Sequence, residues 1–194
     1  MCLMISKPKS ARFDKFWLRD FWMRNQDGAG VMWTDDTGTV QVRKILSPSL
    51  NDWLAFYKEH AARRACLIHL RMRTHGDVTY ENVHPYAIGA GVYLMHNGVL
   101  RFGNADDVSR SDTWHYIQKY LALPVTANPD VIYDWQFRVN IGRHIGKHNR
   151  FALLGPRGKP IIINYRTGYH FGGAWFSNTY AWSAGSALDL KAAA

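Results

Sequence analysis

The sequence predicts an α+β fold in which the strands pair mostly antiparallel. Strand-like apolar runs arrive in neighbouring groups, in the order strands, helix, strands, helices, strands, rather than alternating one by one with helices as βαβ units would. Tight-turn signals sit between them: Asp35-Asp36-Thr37-Gly38, Asn97-Gly98 and Pro156-Arg157-Gly158. Helical spacing of apolar residues is confined to a few separate blocks.

Residues 2–6 are short and apolar, as a buried strand would be. In residues 11–26, Phe13, Phe16, Trp17, Phe21 and Met23 fall near helical spacing. Residues 29–34 and 39–45 read as a hairpin around the Asp35–Gly38 turn. Ser47 or Ser49 can cap a helix running to about residue 64, with Leu50, Trp53, Leu54 and Tyr57 on one face. Residues 66–72 are again strand-like, and 74–85 form a polar loop. Residues 86–96 read as one strand ended by Asn97-Gly98, with 99–102 continuing beyond the turn. Ser111 or Asp112 starts a helix to about 121, and residues 130–144 read as helical. Residues 151–154 and 160–165 look like a hairpin, and 174–182 a last strand. Repeats and low-complexity linkers are absent, so 1–194 is read as a single domain, with Ala192-Ala193-Ala194 set aside as a cloning remnant.

The net charge of +9 bears on solubility and anionic partners, not on the fold. Basic residues are densest in 7–24 and 138–159, and read first as a solvated surface. A nucleic acid, nucleotide or acidic protein partner stays open. The amino terminus lacks a basic segment followed by an apolar one, so a secretory signal is not expected. The longest apolar run, about residues 87–95, is too short to span a bilayer. Two cysteines, Cys2 and Cys66, make no disulfide framework. A cytoplasmic protein without membrane association is expected.

Cys2 follows the initiator Met. Removal of Met1 would leave thiol and α-amine on one residue, with reference pKa values of about 8.5 and about 7.7–8.0. A neighbouring ammonium favours the thiolate, and can later protonate a departing amine. Position alone favours an ordinary buried cysteine that happens to be second. A polar constellation shifts that balance: His69, Arg71, Arg73, Thr74, His75 and Gly76 close one strand, Glu81, Asn82, His84 and Pro85 follow, and His96-Asn97-Gly98 closes the next strand. Amide hydrolysis needs oxyanion donors, which an Asn97 side-chain amide and a Gly98 backbone N–H can supply. An Arg fork suits an α-carboxylate, and Asp112 could accept from an α-ammonium.

These motifs resemble the class II glutamine amidotransferase domain of the N-terminal-nucleophile hydrolases. The resemblance rests on Cys2, Arg24-Asn-Gln-Asp27-Gly28-Ala29-Gly30, Arg71-Met-Arg-Thr74-His75-Gly76, Asn82-Val-His84-Pro85, His96-Asn97-Gly98 and Ser111-Asp112-Thr113, in the family's order, with Trp175-Phe176-Ser177-Asn178 like a late strand of smaller members. It covers nearly the whole chain, and implies a four-layer αββα sandwich of two mainly antiparallel sheets. It implies Cys2 as nucleophile and Asn97 and Gly98 as the oxyanion hole. Arg71 would bind the glutamine α-carboxylate with help from Thr74 and His75, Asp112 would take the α-ammonium, and Arg24 would support the nucleophile end. Two departures stand out. The family has Gly after the nucleophile where this chain has Leu3, whose side chain needs room beside the site, and Met72 stands where an aromatic is common.

Plainer readings apply to several residues. His144 and His148 are four apart, a ligand spacing, but no third ligand accompanies them, so no metal is expected. His84, before Pro85, suits an extended loop, and His96 is expected to order the Asn97-Gly98 turn rather than act as a base. Cys66 reads as inert core. Gly28-Ala-Gly30 is too short for a dinucleotide fingerprint.

The leading expectation is an enzyme that hydrolyses the glutamine side-chain amide through a thioester on Cys2, without cofactor or metal, and passes ammonia to a separate synthetase or ligase. A second is an N-terminal-nucleophile amidohydrolase acting on a γ-glutamyl or other small amide. A third is a catalytically silent, basic binding module.

Overall fold

The computed structural model describes residues 2–101 and 107–180. Met1, Phe102, Trp182 and Ala192–Ala194, on which parts of the sequence reading fall, lie outside the described residues.

Two antiparallel sheets form the middle of the molecule. The first has the order β3(Val40–Leu46), β2(Gly28–Thr34), β4(Cys66–Arg71), β1(Leu3–Lys7), β10(Ala174–Phe176), β9(Tyr169–Phe171). The second has the order β5(Tyr86–Gly89), β6(Val92–Asn97), β7(Arg150–Leu154), β8(Ile161–Ile163). Strand β1 is central: Leu3 opposes Leu70 of β4, and Ile5 opposes both Ile68 of β4 and Phe176 of β10.

Alternation along the strands builds three cores. Leu3, Ile5, Val31, Ile68 and Phe176 face helices α1(Lys15–Met23) and α2(Leu50–His60), where Phe21 and Trp53 are fully buried. Met4, Met32, Leu67, Met95, Ala152 and Trp175 fill the space between the sheets. Leu94, Phe151, Leu153 and Ile163 face the second helical layer, with Tyr116, Leu121, Val125 and Ile145. A strand buried on both faces must be apolar at both parities, as Leu3-Met4-Ile5 is. The result is the expected αββα sandwich.

Helix starts follow their caps. Asp14 accepts from Trp17 N at the start of α1, and Ser49 and Asp52 form a reciprocal capping box at the start of α2. Ser111 caps α3(Asp112–Tyr116), which runs on as a π-helical turn to Leu121 and then α4(Ala122–Ala127). Asp134 caps α5(Trp135–Ile145), which ends at Gly146 with φ 74°.

Two readings change. Residues 86–96 are a hairpin, not one strand: Ala90 and Gly91 turn the chain with φ 48° and 74°. The unbroken apolar run concealed this turn, and Asn97-Gly98 instead leads into a loop, with residues 99–101 outside any strand. Strand β9 and helix α4 also escaped the sequence reading; β9 is three exposed or half-exposed residues, and α4 carries Pro124 in its interior.

Candidate active site

Strands β1 and β4 set the first half of the site. Because Met4 and Leu67 point between the sheets, Cys2 and Arg71, two and four residues away, emerge on that same side. The Cys2 thiol donates to Met72 O (3.2 Å) and accepts from Met72 N (3.3 Å). Burial pushes its pKa up; the Met72 N–H and the charge of Arg71 work against that, and Asp112 adds to it. Leu3 has the opposite parity and is fully buried against the helices, so the expected crowding of the site by its side chain does not arise.

The end of β6 sets the second half. The Asn97 amide is fully buried, and its Nδ2 donates to Ser177 Oγ (2.5 Å). Ser177 Oγ also accepts from Met4 N (2.9 Å), and Asn178 Nδ2 donates to Cys2 O (2.7 Å). The segment after β10 therefore ties the nucleophile strand to Asn97. At Gly98, φ is 144°, and a Cβ would lie 2.1 Å from Asn149 Oδ1, so only glycine brings its backbone here.

The loop after β4 closes over these groups. Arg71 is buried, and its Nη2 donates to His75 O (3.2 Å) and Asp77 O (3.0 Å), while Nη1 has no hydrogen-bond partner. Asn82 braces the same loop from behind: its Nδ2 donates to Asp77 O and Ser109 O, and its Oδ1 accepts from Ser111 N. Asp112 accepts from Leu100 N (2.6 Å) and Thr113 N (2.7 Å). Cys2, Arg71, Thr74, His75, His84, His96, Gly98 and Asp112 line one pocket, together with Met72, Asn82, Ser111 and Thr113. Its free volume of about 20 Å³ has room for little more than one water molecule. Beside it runs the exposed stretch from Met72 to His75.

Three buried histidines cluster here, His84 and His96 in the pocket lining and His69 beside His84. The rings of His69 and His84 are 4.2 Å apart, and His84 is 6.5 Å from His96. Asn149 donates through Nδ2 to Ile145 O, so its Oδ1 faces His96 Nε2 as an acceptor at 2.9 Å. His96 Nδ1 then accepts from Thr113 Oγ1 (2.7 Å). His69 Nε2 donates to the His96 carbonyl (2.9 Å). Burial holds all three rings below the ordinary histidine pKa, His69 at about 3 and His84 well below. They are neutral structural rings at neutral pH. Among the described residues, no group of three or more His, Cys, Asp or Glu could hold a metal ion.

Comparison with known proteins follows this geometry. Over 110 residues the chain is 33% identical to a glutamine–fructose-6-phosphate aminotransferase (isomerizing) of Rhizobium meliloti (strain 1021), a match covering 50% of this chain and 18% of that protein. It is 34% identical over 82 residues to a probable glutamine–fructose-6-phosphate aminotransferase of Acanthamoeba polyphaga mimivirus, covering 40% of this chain and 13% of that protein. Over these stretches the chain resembles the glutamine amidotransferases.

It spans less than a fifth of the length of these curated relatives. No family model matches it. The fold is shared with the glutamine phosphoribosylpyrophosphate amidotransferase from B. subtilis solved with ADP and GMP, with a TM-score of 0.51 and 18% identity over 97% of this chain and 43% of that one.

The site residues singled out in the sequence fall in two groups. Cys2, Gly98, Arg71, Thr74, His75, Asp112, His84 and His96 meet at the pocket. Asn97, fully buried, and Arg24, exposed at the end of α1, are not among the lining residues. Sequence reasoning assigned no role to Asn149, Ser177, Asn178 or Thr113. Each is a small polar residue at the end of an apolar strand or helix, a signal that says a side chain is hydrogen-bonded but not to what. No membrane-crossing helix occurs among the described residues.

Proposed function

We propose that residues 1–194 form one glutamine amidotransferase domain that hydrolyses the side-chain amide of glutamine at Cys2 and supplies ammonia to an acceptor enzyme. The observation that carries this reading is the convergence of a thiol, an Arg with an unpartnered Nη1, a carboxylate and a Gly98 backbone N–H on one pocket. Arg71 binds the substrate α-carboxylate, and Asp112 the α-ammonium. With Met1 removed, the Cys2 thiol attacks the side-chain carbonyl while its own α-amine holds the proton. The tetrahedral oxyanion takes hydrogen bonds from Gly98 N–H and the second proton of Asn97 Nδ2, the first being committed to Ser177. Ammonia leaves with the proton, and water cleaves the γ-glutamyl thioester to glutamate. No metal or cofactor takes part in this sequence.

Entry of glutamine requires the stretch from Met72 to His75 to move outward, because the pocket as it stands is too small. The acceptor enzyme is a separate synthetase or ligase in this reading. The basic charge is a surface property, and no relative supports a nucleic acid partner.

The test is covalent capture with a glutamine-shaped diazoketone followed by peptide mass mapping. One label on Cys2, absent in Cys2→Ala and slowed by excess glutamine, is the expected result. Labelling of Cys66 alone, or labelling indifferent to glutamine, would remove the reading. Faster hydrolysis of substituted γ-glutamyl amides than of glutamine would favour the amidohydrolase instead.

A further inference from the structure

We infer that the groove between α5 and the edge strand β8 is a docking site for an acidic, aliphatic-bearing extended segment of a partner protein. The groove holds about 570 Å³ on the side of the second sheet remote from β5. Ile162, Ile163 and Gly142 line it, together with Trp135, which is 65% exposed. Arg138, Arg143 and Lys147 line it. The ion pairs among the described residues are Arg19–Asp20, His60–Glu59 and Arg157–Asp130, so none neutralises these three cations.

Each feature selects the same occupant. Three unneutralised cations beside an apolar floor complement acidic side chains that alternate with aliphatic ones. Among the described residues, strand β8 is the last of its sheet, and its outer edge faces no other strand. Paired with β7 along one edge, Ile161-Ile162-Ile163 offers its other edge as a template for an added strand, which the flanking cations restrict to acidic partners. An exposed Trp beside Arg is the composition of an interface anchor. The groove also reaches the active site. Asn164, on its floor, donates through Nδ2 to Asn149 O (2.7 Å), and Asn149 abuts Gly98 and His96. A partner seated here therefore sits two residues from the turn that carries Gly98.

The probe is a ten-residue peptide alternating glutamate and valine, read by anisotropy of a dye on the peptide and by quenching of Trp135. This readout is independent of glutamine hydrolysis, so it fails or succeeds separately from the proposed activity. The charge reversals Arg138→Glu, Arg143→Glu and Lys147→Glu together weaken binding about ten-fold or more. Reversing the exposed Lys15, Lys58 and Arg63 instead, the same change in net charge, leaves it within about two-fold. The milder Arg138→Ala, Arg143→Ala and Lys147→Ala triple keeps the order of effects should the reversed protein not fold. Equal losses in the two triples, no binding to the wild type, or tighter groove-dependent binding of a single-stranded oligonucleotide would overturn the inference.

Discussion

Asn149 Oδ1 lies where a Cβ on Gly98 would have to go, at 2.1 Å, and the same oxygen faces His96 Nε2 at 2.9 Å. One amide thus fixes both the backbone turn at Gly98 and the tautomer of the ring beside it. Gly98→Ala meets a left-handed φ and a steric overlap together, and is expected to cost about 2–4 kcal/mol of stability. Asn149→Ala removes the clash but leaves His96 Nε2 buried and unpaired, at about 1–3 kcal/mol. Urea unfolding of both single variants and the double variant checks this. The double variant should be less destabilised than the sum, because Asn149→Ala makes room for the alanine at position 98.

Ser177 joins the nucleophile strand to Asn97. Ser177→Ala leaves Met4 N and Asn97 Nδ2 without their acceptor, a loss of about 1–3 kcal/mol. The rate of glutamine hydrolysis should fall through kcat, with KM little changed, because the affected groups meet the transition state rather than the α-substituents. A rise in KM alone would assign Ser177 to substrate binding instead.

Arg71 has two tasks on one guanidinium. Nη2 holds the carbonyls of His75 and Asp77, and Nη1 is left for the substrate. Lys cannot do both, so Arg71→Lys is expected to raise KM for glutamine about ten-fold or more, with the loop looser. Steady-state kinetics with amide exchange over residues 72–77 measures both effects.

The histidine cluster sets the acid limit of stability. The unfolded chain protonates these rings below about pH 6.5, whereas folded His69 does so only near pH 3. The folded state therefore binds fewer protons between those values, and stability is lost as pH falls through that window. At pH 5 the loss from His69 alone is about 2 kcal/mol relative to pH 7.5. Urea midpoints across this range should fall in the wild type. A His69→Gln variant should show a shallower fall, and an equal slope in the two proteins would show that His69 does not titrate in this way.

The sandwich and most of the pocket were legible because local chemistry and global position agree there. Ser49, one of two caps the sequence offers, and Ser111 before Asp112 announce helix starts that the fold uses. The apolar runs at residues 3–7 and 66–71 become central strands, and Cys2 just before the first and Arg71 at the end of the second line the site. The hairpin at Ala90-Gly91 was hidden because an exposed, two-residue turn within an apolar run carries little polar signal. The consequence of Leu3 was misjudged for lack of strand parity: two helices on the far side of the sheet accept the side chain. Asn149 and Ser177 were invisible as site residues because their partners, Gly98 and Asn97, are 51 and 80 positions away in the chain.

The most direct measurement is intact mass combined with glutamate release from glutamine, on the wild type and Cys2→Ala. The expected result is a wild-type chain lacking Met1 that produces glutamate, and a Cys2→Ala chain that produces none. Glutamate production by Cys2→Ala, or by a chain that keeps Met1, would contradict an N-terminal Cys2 nucleophile.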